Sequence, residues 1–141
     1  MSGPVQLAAL SLASFRDRPV AVLGLARSGI ALARFLADQG ARVTVYDARP
    51  ETELTDALAA LGERAIARAL GPEVDPVAVL AGQALVLTSP SINSRYPTTE
   101  PRLRAALGAV EAAGSVPVVS EIDLFLRLCP ALTVGVTGTK G

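Results

Sequence analysis

Apolar residues recur along the chain in two rhythms that alternate. Pro19-Val-Ala-Val-Leu-Gly24 is a short apolar run closed by glycine, the pattern of a parallel strand buried on both faces. Ile30, Ala33, Leu36 and Ala37 then follow at helical spacing, with Arg34 and Asp38 on the other face and Gly40 as the stop. Arg42-Val-Thr-Val-Tyr46 is rich in β-branched residues and ends at Asp47, a second strand. Leu54, Leu58, Leu61 and Ala65 mark a second helix, and Ala84-Leu-Val-Leu-Thr88 a strand closed by Ser89-Pro90. Thr98 or Thr99 is expected to cap a long helix with Leu103, Ala106, Leu107 and Val110 on its buried face and Gly114 at its end. Val116-Pro-Val-Val119 reads as a short strand. Ser120 and Asp123 then form a capping-box-like start to a helix with Ile122, Phe125 and Leu126 inward. Leu132-Thr-Val-Gly-Val136 reads as a last strand, while Pro50–Glu53 and Ile92–Pro97 read as loops.

Strand and helix alternating through short connections predict an α/β fold, a doubly wound, Rossmann-like sheet of five parallel strands with flanking helices. The expected organisation is a lead-in over residues 1–18, the domain over 19–135, and the opening of a truncated phosphate-binding loop over 136–141. Half of the 141 residues are apolar and 18% are charged, enough buriable surface to offset the entropy of ordering the chain. Thirteen basic and thirteen acidic side chains cancel, so no overall field draws the chain to nucleic acid. The chain holds no histidine and one cysteine, Cys129; Ser-His and Cys-His pairs, a metal cluster and an internal disulfide are therefore excluded. The longest uncharged run, between Asp75 and Arg95, is broken by Pro76, Gly82 and Pro90, which argues against membrane insertion. A monomer in the cytoplasm is the expected setting.

Four places carry candidate chemistry. Gly24-Leu-Ala-Arg-Ser-Gly29 has the spacing of the dinucleotide fingerprint, with Ala26 in place of the middle glycine. Free N–H groups and the helix dipole at such a turn favour a phosphate, and Arg27 and Ser28 add donors. Asp47 stands at the end of a strand about twenty residues further on, near where such folds place an acid for ribose hydroxyls, and Arg49 follows it. There Asp47 is expected to be largely hydrated at the crevice mouth. Thr88-Ser-Pro-Ser91 ends a strand converging on the same crevice, where Ser89 and Ser91 supply donors; an ordinary Ser-Pro turn is the plain alternative. Thr137-Gly138-Thr139-Lys140-Gly141 looks like the opening of a phosphate-binding loop.

Together with Ser120-Glu-Ile-Asp-Leu-Phe125, these motifs in this order and spacing resemble the amino-terminal domain of the Mur ligases of peptidoglycan synthesis, over about residues 18 to 141. The Glu-Ile-Asp-Leu-Phe stretch favours the D-glutamate-adding branch. The resemblance implies three domains in the parent: one for the UDP-sugar substrate, UDP-N-acetylmuramoyl-L-alanine, a central ATPase, and one for D-glutamate. It implies a reaction in which the substrate carboxylate becomes an acyl phosphate at the expense of ATP, with magnesium assisting, and is attacked by the D-glutamate amine. By motif matching, Gly24, Ala26, Arg27 and Ser28 fall where family members bind the diphosphate. Asp47, Ala48 and Arg49 fall at the uracil site, Ser89, Pro90 and Ser91 beside the nucleotide, and Gly138, Thr139, Lys140 and Gly141 on the ATP-binding loop. No catalytic or metal-binding residue is expected in these 141 residues, nor any cofactor for them alone. Ala26, Ser91 and Lys140 depart from the commoner glycine, glycine and asparagine. Two other readings stand beside this one: an NAD(P)-binding domain of an oxidoreductase, and a non-enzymatic nucleotide-sensing domain. The glycine-rich ending favours the ligase.

Overall fold

A computed structural model describes residues 3–138. Five strands, β1 (Pro19–Leu23), β2 (Arg42–Asp47), β3 (Ala67–Leu70), β4 (Leu85–Thr88) and β5 (Val118–Ser120), form one sheet in the order β3-β2-β1-β4-β5. Every neighbouring pair is parallel. The helices are α1 (Arg27–Asp38), α2 (Thr55–Leu61), α3 (Pro76–Leu80), α4 (Pro101–Ala113) and α5 (Glu121–Leu128). One face of the sheet packs Val20, Val22, Val43 and Val45 against α1, α2 and Leu124 of α5. The other packs Ala21, Leu23, Tyr46 and Val86 against Leu80 of α3 and Leu103, Ala106 and Leu107 of α4. The predicted doubly wound α/β sheet of five parallel strands is therefore present. No helix among the described residues is long and apolar enough to cross a membrane.

The membership of the sheet differs from expectation at one edge. Ala67–Leu70 joins as β3, beside β2. An edge strand half open to water needs no apolar alternation, so Ala-Arg-Ala-Leu carries little signal of its own. Conversely, Leu132–Val136 forms no strand: Leu132, Val134 and Val136 are 94%, 80% and 93% exposed. Its alternation records a capacity for burial and does not specify the surface that provides it.

Three local expectations are also corrected. The predicted second helix stops at Leu61, because Gly62 turns the chain at a φ of 69° and leaves Ala65 outside. Glu100, not Thr98 or Thr99, caps α4, accepting from the N–H groups of Arg102 and Leu103. In α5 the buried residue is Leu124, while Ile122, Phe125 and Leu126 face outward. Ser120 does cap that helix, its hydroxyl accepting from the Asp123 N–H at 3.2 Å. Helix α3 is absent from the sequence expectations, although Asp75 followed by Pro76 is a strong start signal and the Asp75 carboxylate accepts from the Val77 N–H.

The lead-in packs onto the domain. The Val5 N–H donates to the Ala84 carbonyl at 2.9 Å, and Phe15, fully buried, meets Phe35 of α1 edge to face.

At the end of β1 the chain turns through Gly24, at a φ of 88°, into α1. A Cβ added to Gly29 would lie 1.8 Å from the Gly24 carbonyl oxygen, so α1 sits against that turn at a distance only glycine permits. Gly29→Ala is expected to destabilise the fold by at least about 2 kcal/mol, because the contact is with backbone that has nowhere to move. Urea denaturation checks this; a loss under about 0.5 kcal/mol, ordinary for a surface change, would contradict it.

Candidate functional site

The sheet order reverses direction at β1, with β2 on one side and β4 on the other. In open α/β sheets the crevice beyond the carboxyl ends of such strands is where ligands bind. A cavity of about 370 Å³ lies there, lined by the β1–α1 turn, by Asp47 at the end of β2 and Arg49 beyond it, and by Ser89 to Ile92 after β4. Gly24, Ala26, Ser28, Asp47, Arg49, Ser89, Pro90 and Ser91 all border it. Ala48 borders a smaller cavity of about 180 Å³, which shares Gly24, Asp47 and Ile92 with the crevice. Arg27 does not border the crevice; it faces a groove between α1 and α5. Gly138 lies in the exposed tail, and Thr139, Lys140 and Gly141 lie outside the described residues.

The amino terminus of α1 is the site's polar end. Its N-cap, Ala26, offers no side-chain acceptor, and the first turn holds no acidic residue. By contrast α3, α4 and α5 are capped by Asp75, Glu100 and Ser120. The helix that opens onto the crevice thus keeps its dipole and orphan N–H groups available to an anion.

Asp47 is not hydrated, contrary to the sequence expectation. The residue is 8% exposed, and its carboxylate is surrounded by donors. Oδ2 accepts from the Leu25 N–H at 2.9 Å and Arg49 Nη2 at 2.8 Å. Oδ1 accepts from the Arg49 N–H and Arg49 Nε, both at 3.0 Å. A carboxylate has about four lone-pair positions, and all four are used. A ribose hydroxyl therefore has no free acceptor on Asp47 unless Arg49 moves. Burial alone would raise the Asp47 pKa, but the hydrogen bonds from the Arg49 side chain, the Leu25 N–H and the Arg49 N–H, with the Arg49 charge, hold it below the usual value.

The loop after β4 is shaped by residues that sequence reasoning missed or misplaced. Thr99, buried, accepts from the Asn93 N–H at 2.8 Å, and its hydroxyl lies 3.4 Å from the Ser91 carbonyl it donates to. The hydroxyls of Ser89 and Ser91 lie 3.0 Å apart. Ile92 leans over Gly24, its Cδ1 within 2.6 Å of where a Cβ would be. Gly24 is therefore fixed by both its backbone angle and its neighbour. The one sequence signal for Thr99 was its candidacy as a helix cap; Ile92 gave none.

The fold and this crevice define a doubly wound, Rossmann-like α/β domain with an open crevice at its switch point. The Mur ligase MurD-like, N-terminal domain family matches residues 18–111, two thirds of the chain, and the chain belongs to that family. It is 41% identical over 125 residues to the UDP-N-acetylmuramoylalanine--D-glutamate ligase of Pelobacter propionicus, covering 89% of this chain and 26% of that protein. The ligase of the same name from Anaeromyxobacter dehalogenans is 42% identical over 123 residues, 86% of this chain and 24% of that protein. The chain thus spans about a quarter of the length of these relatives.

Replacing Asp47 with alanine strands the buried Leu25 N–H and releases Arg49, so a loss of about 1–3 kcal/mol is expected. A carboxylate whose folded pKa is depressed stabilises above its unfolded pKa, about 3.9, and loses that contribution as pH falls through the lower folded value. The stability gap between wild type and Asp47→Ala, measured by denaturant melts, should therefore be complete at pH 7 and shrink below pH 4. A gap absent at pH 7 would show that the brace does not stabilise the fold.

Proposed function

We propose that this domain binds UDP-N-acetylmuramoyl-L-alanine within an ATP-dependent D-glutamate-adding ligase of peptidoglycan synthesis, working in the cytoplasm. The observation that carries the reading is the uncapped amino terminus of α1 opening on the crevice, in a chain of this family. The diphosphate lies on the N–H groups after Ala26, with Ser28 donating from the first turn. Ala26 keeps the diphosphate further from the turn than a glycine would. Asp47 acts from behind: it holds the Arg49 guanidinium and the Leu25 backbone in place, and Arg49 meets the uracil end. Ser89, Ser91 and Ile92 close the crevice from the β4 side.

In the longer parent, the substrate carboxylate takes the γ-phosphoryl group of ATP, giving an acyl phosphate and ADP. The D-glutamate amine then displaces phosphate to form the amide. No group for either step stands among the residues described here. Of the loop expected to hold ATP, only Gly138 is described, and it is exposed; no step through ATP or magnesium is derived from it. The 141 residues alone are expected to bind the UDP ligand without hydrolysing ATP.

Calorimetric titration tests the site. The chain should bind UDP ligands more tightly than NAD, whose pyrophosphate must pack close to the turn that Ala26 crowds. Ser28→Glu sharpens the test, because an acid in the first turn suits the helix dipole but repels a diphosphate. Melting should hold or rise while UDP affinity falls at least about tenfold, or 1.4 kcal/mol. Unchanged affinity would move the diphosphate elsewhere, and tighter NAD binding would favour the oxidoreductase reading.

A further inference from the structure

Tyr46 precedes Asp47 at the end of β2, on the face of the sheet that packs α3 and α4. It lies in one buried cluster with Leu23, Leu80 and Leu103. Its hydroxyl oxygen is shielded from solvent and has no hydrogen-bond partner among the described residues. Leaving a buried hydroxyl unpaired is costly, so such groups in folded proteins are almost always paired, with protein or with ordered water. Tyr46 is also a wall of the smaller cavity of about 180 Å³ beside the crevice, together with Ile92, Thr98, Thr99, Glu100 and Leu103. Tyr46, Thr99 and Leu103 are 1%, 3% and 4% exposed, so this recess has a deep end closed to solvent.

Glu100 supplies matching capacity on the same walls. Its Oε1 accepts from the Arg102 N–H and from Arg102 Nε, and its Oε2 from the Leu103 N–H. Of about four lone-pair positions on the carboxylate, one on Oε2 is left over among the described residues. Burial first, and then the Glu100 charge, push the Tyr46 pKa above its usual value, so the phenol keeps its proton at neutral pH and acts as a donor. The Thr98 hydroxyl donates to the Ser91 carbonyl at 3.3 Å and keeps its lone pairs for accepting. Tyr46 and Glu100 thus border one cavity, interact through charge, and make no direct hydrogen bond, which is the usual setting of a bridging water. We propose that the recess between the end of β2 and the start of α4 is a binding site for ordered water. One molecule accepts from the Tyr46 hydroxyl and donates to Glu100 Oε2 and to the Thr98 hydroxyl. Room is not limiting, because a water needs only about 10–15 Å³ of such space, and three bonds are ordinary for a buried one. The donor and acceptor set selects water over an ion: an anion would meet the Glu100 carboxylate, and a cation the Tyr46 proton and the Arg102 guanidinium. Ile92 borders both the recess and the crevice and leans over Gly24, so it is the wall they share. The bridge ties the end of β2, which carries Asp47 and Arg49, to the cap of α4, whichever nucleotide the crevice takes.

A high-resolution crystal structure of the 141-residue chain tests this. A water should lie within hydrogen-bond distance of both Tyr46 Oη and Glu100 Oε2. A dry recess, or a Tyr46 hydroxyl bonded directly to a protein group, overturns the proposal, and neither result needs a variant to be read. Oxygen-17 magnetic relaxation dispersion extends the test to solution, because it counts the long-lived waters of a protein. Tyr46→Phe, which removes the oxygen and little else, should lose at least one of them while the fold is kept. An unchanged count in a folded Tyr46→Phe would show that the phenol does not hold the water, and would overturn the assignment. Should that variant fail to fold, the wild-type crystal decides alone.

Discussion

The crevice depends on one carboxylate. Asp47 closes β2, and its two oxygens accept four hydrogen bonds, one from the β1–α1 turn and three from Arg49. Without that anion, the turn after Gly24 and the segment after β2 would be neighbours with no direct polar link between them. With it, the two are joined at distances of 2.8–3.0 Å around a buried carboxylate, while the Arg49 side chain remains half exposed. Charge-assisted bonds of this kind are strong because the anion keeps its full set of donors after leaving solvent. Gly29 completes the arrangement from the other side, by letting α1 approach the Gly24 carbonyl.

The opening of α1 combines two features, no side-chain cap and no acid in the first turn. Three other helices start on side-chain caps, and the helix that opens on the crevice does not. A missing cap typically costs about 1 kcal/mol, and the proposed diphosphate would supply at α1 what Asp75, Glu100 and Ser120 supply at their helices. Helix α2 also starts without a side-chain cap, at Leu54, but it carries Asp56 in its first turn, whereas the first turn of α1 holds no acid.

Much of this was legible in the amino-acid order. The β-branched runs Val20–Leu23, Val43–Tyr46 and Leu85–Thr88 are buried enough that burial and strand pairing demand the same residues. The glycines of the first turn announced its geometry, and eight of the ten residues matched to the ligand site do line the crevice. What was missed depends on partners that lie far apart in sequence. Edge strand β3 is held by β2 and needs no pattern of its own. The burial of Asp47 comes from Leu25 and Arg49 folding around it, which spacing alone does not show. Arg27 points to the α5 side because the first turn of α1 divides its residues between two cavities. For α5 and Leu132–Val136, the apolar pattern marks a capacity for burial, but Ile122, Phe125, Leu126 and the Leu132–Val136 side chains are exposed, because pattern alone does not name the surface that would cover them.

Asp47 is an internal brace, buried among its donors, and not a hydrated side chain at the crevice mouth. A pH titration of the free domain followed by NMR, observing the backbone amides of Leu25 and Arg49, measures that brace. Both amide resonances should move together with one midpoint below the ordinary aspartate value of about 3.9, because both donate to the same depressed carboxylate. Amides that titrate at the ordinary value, or independently of one another, would contradict it.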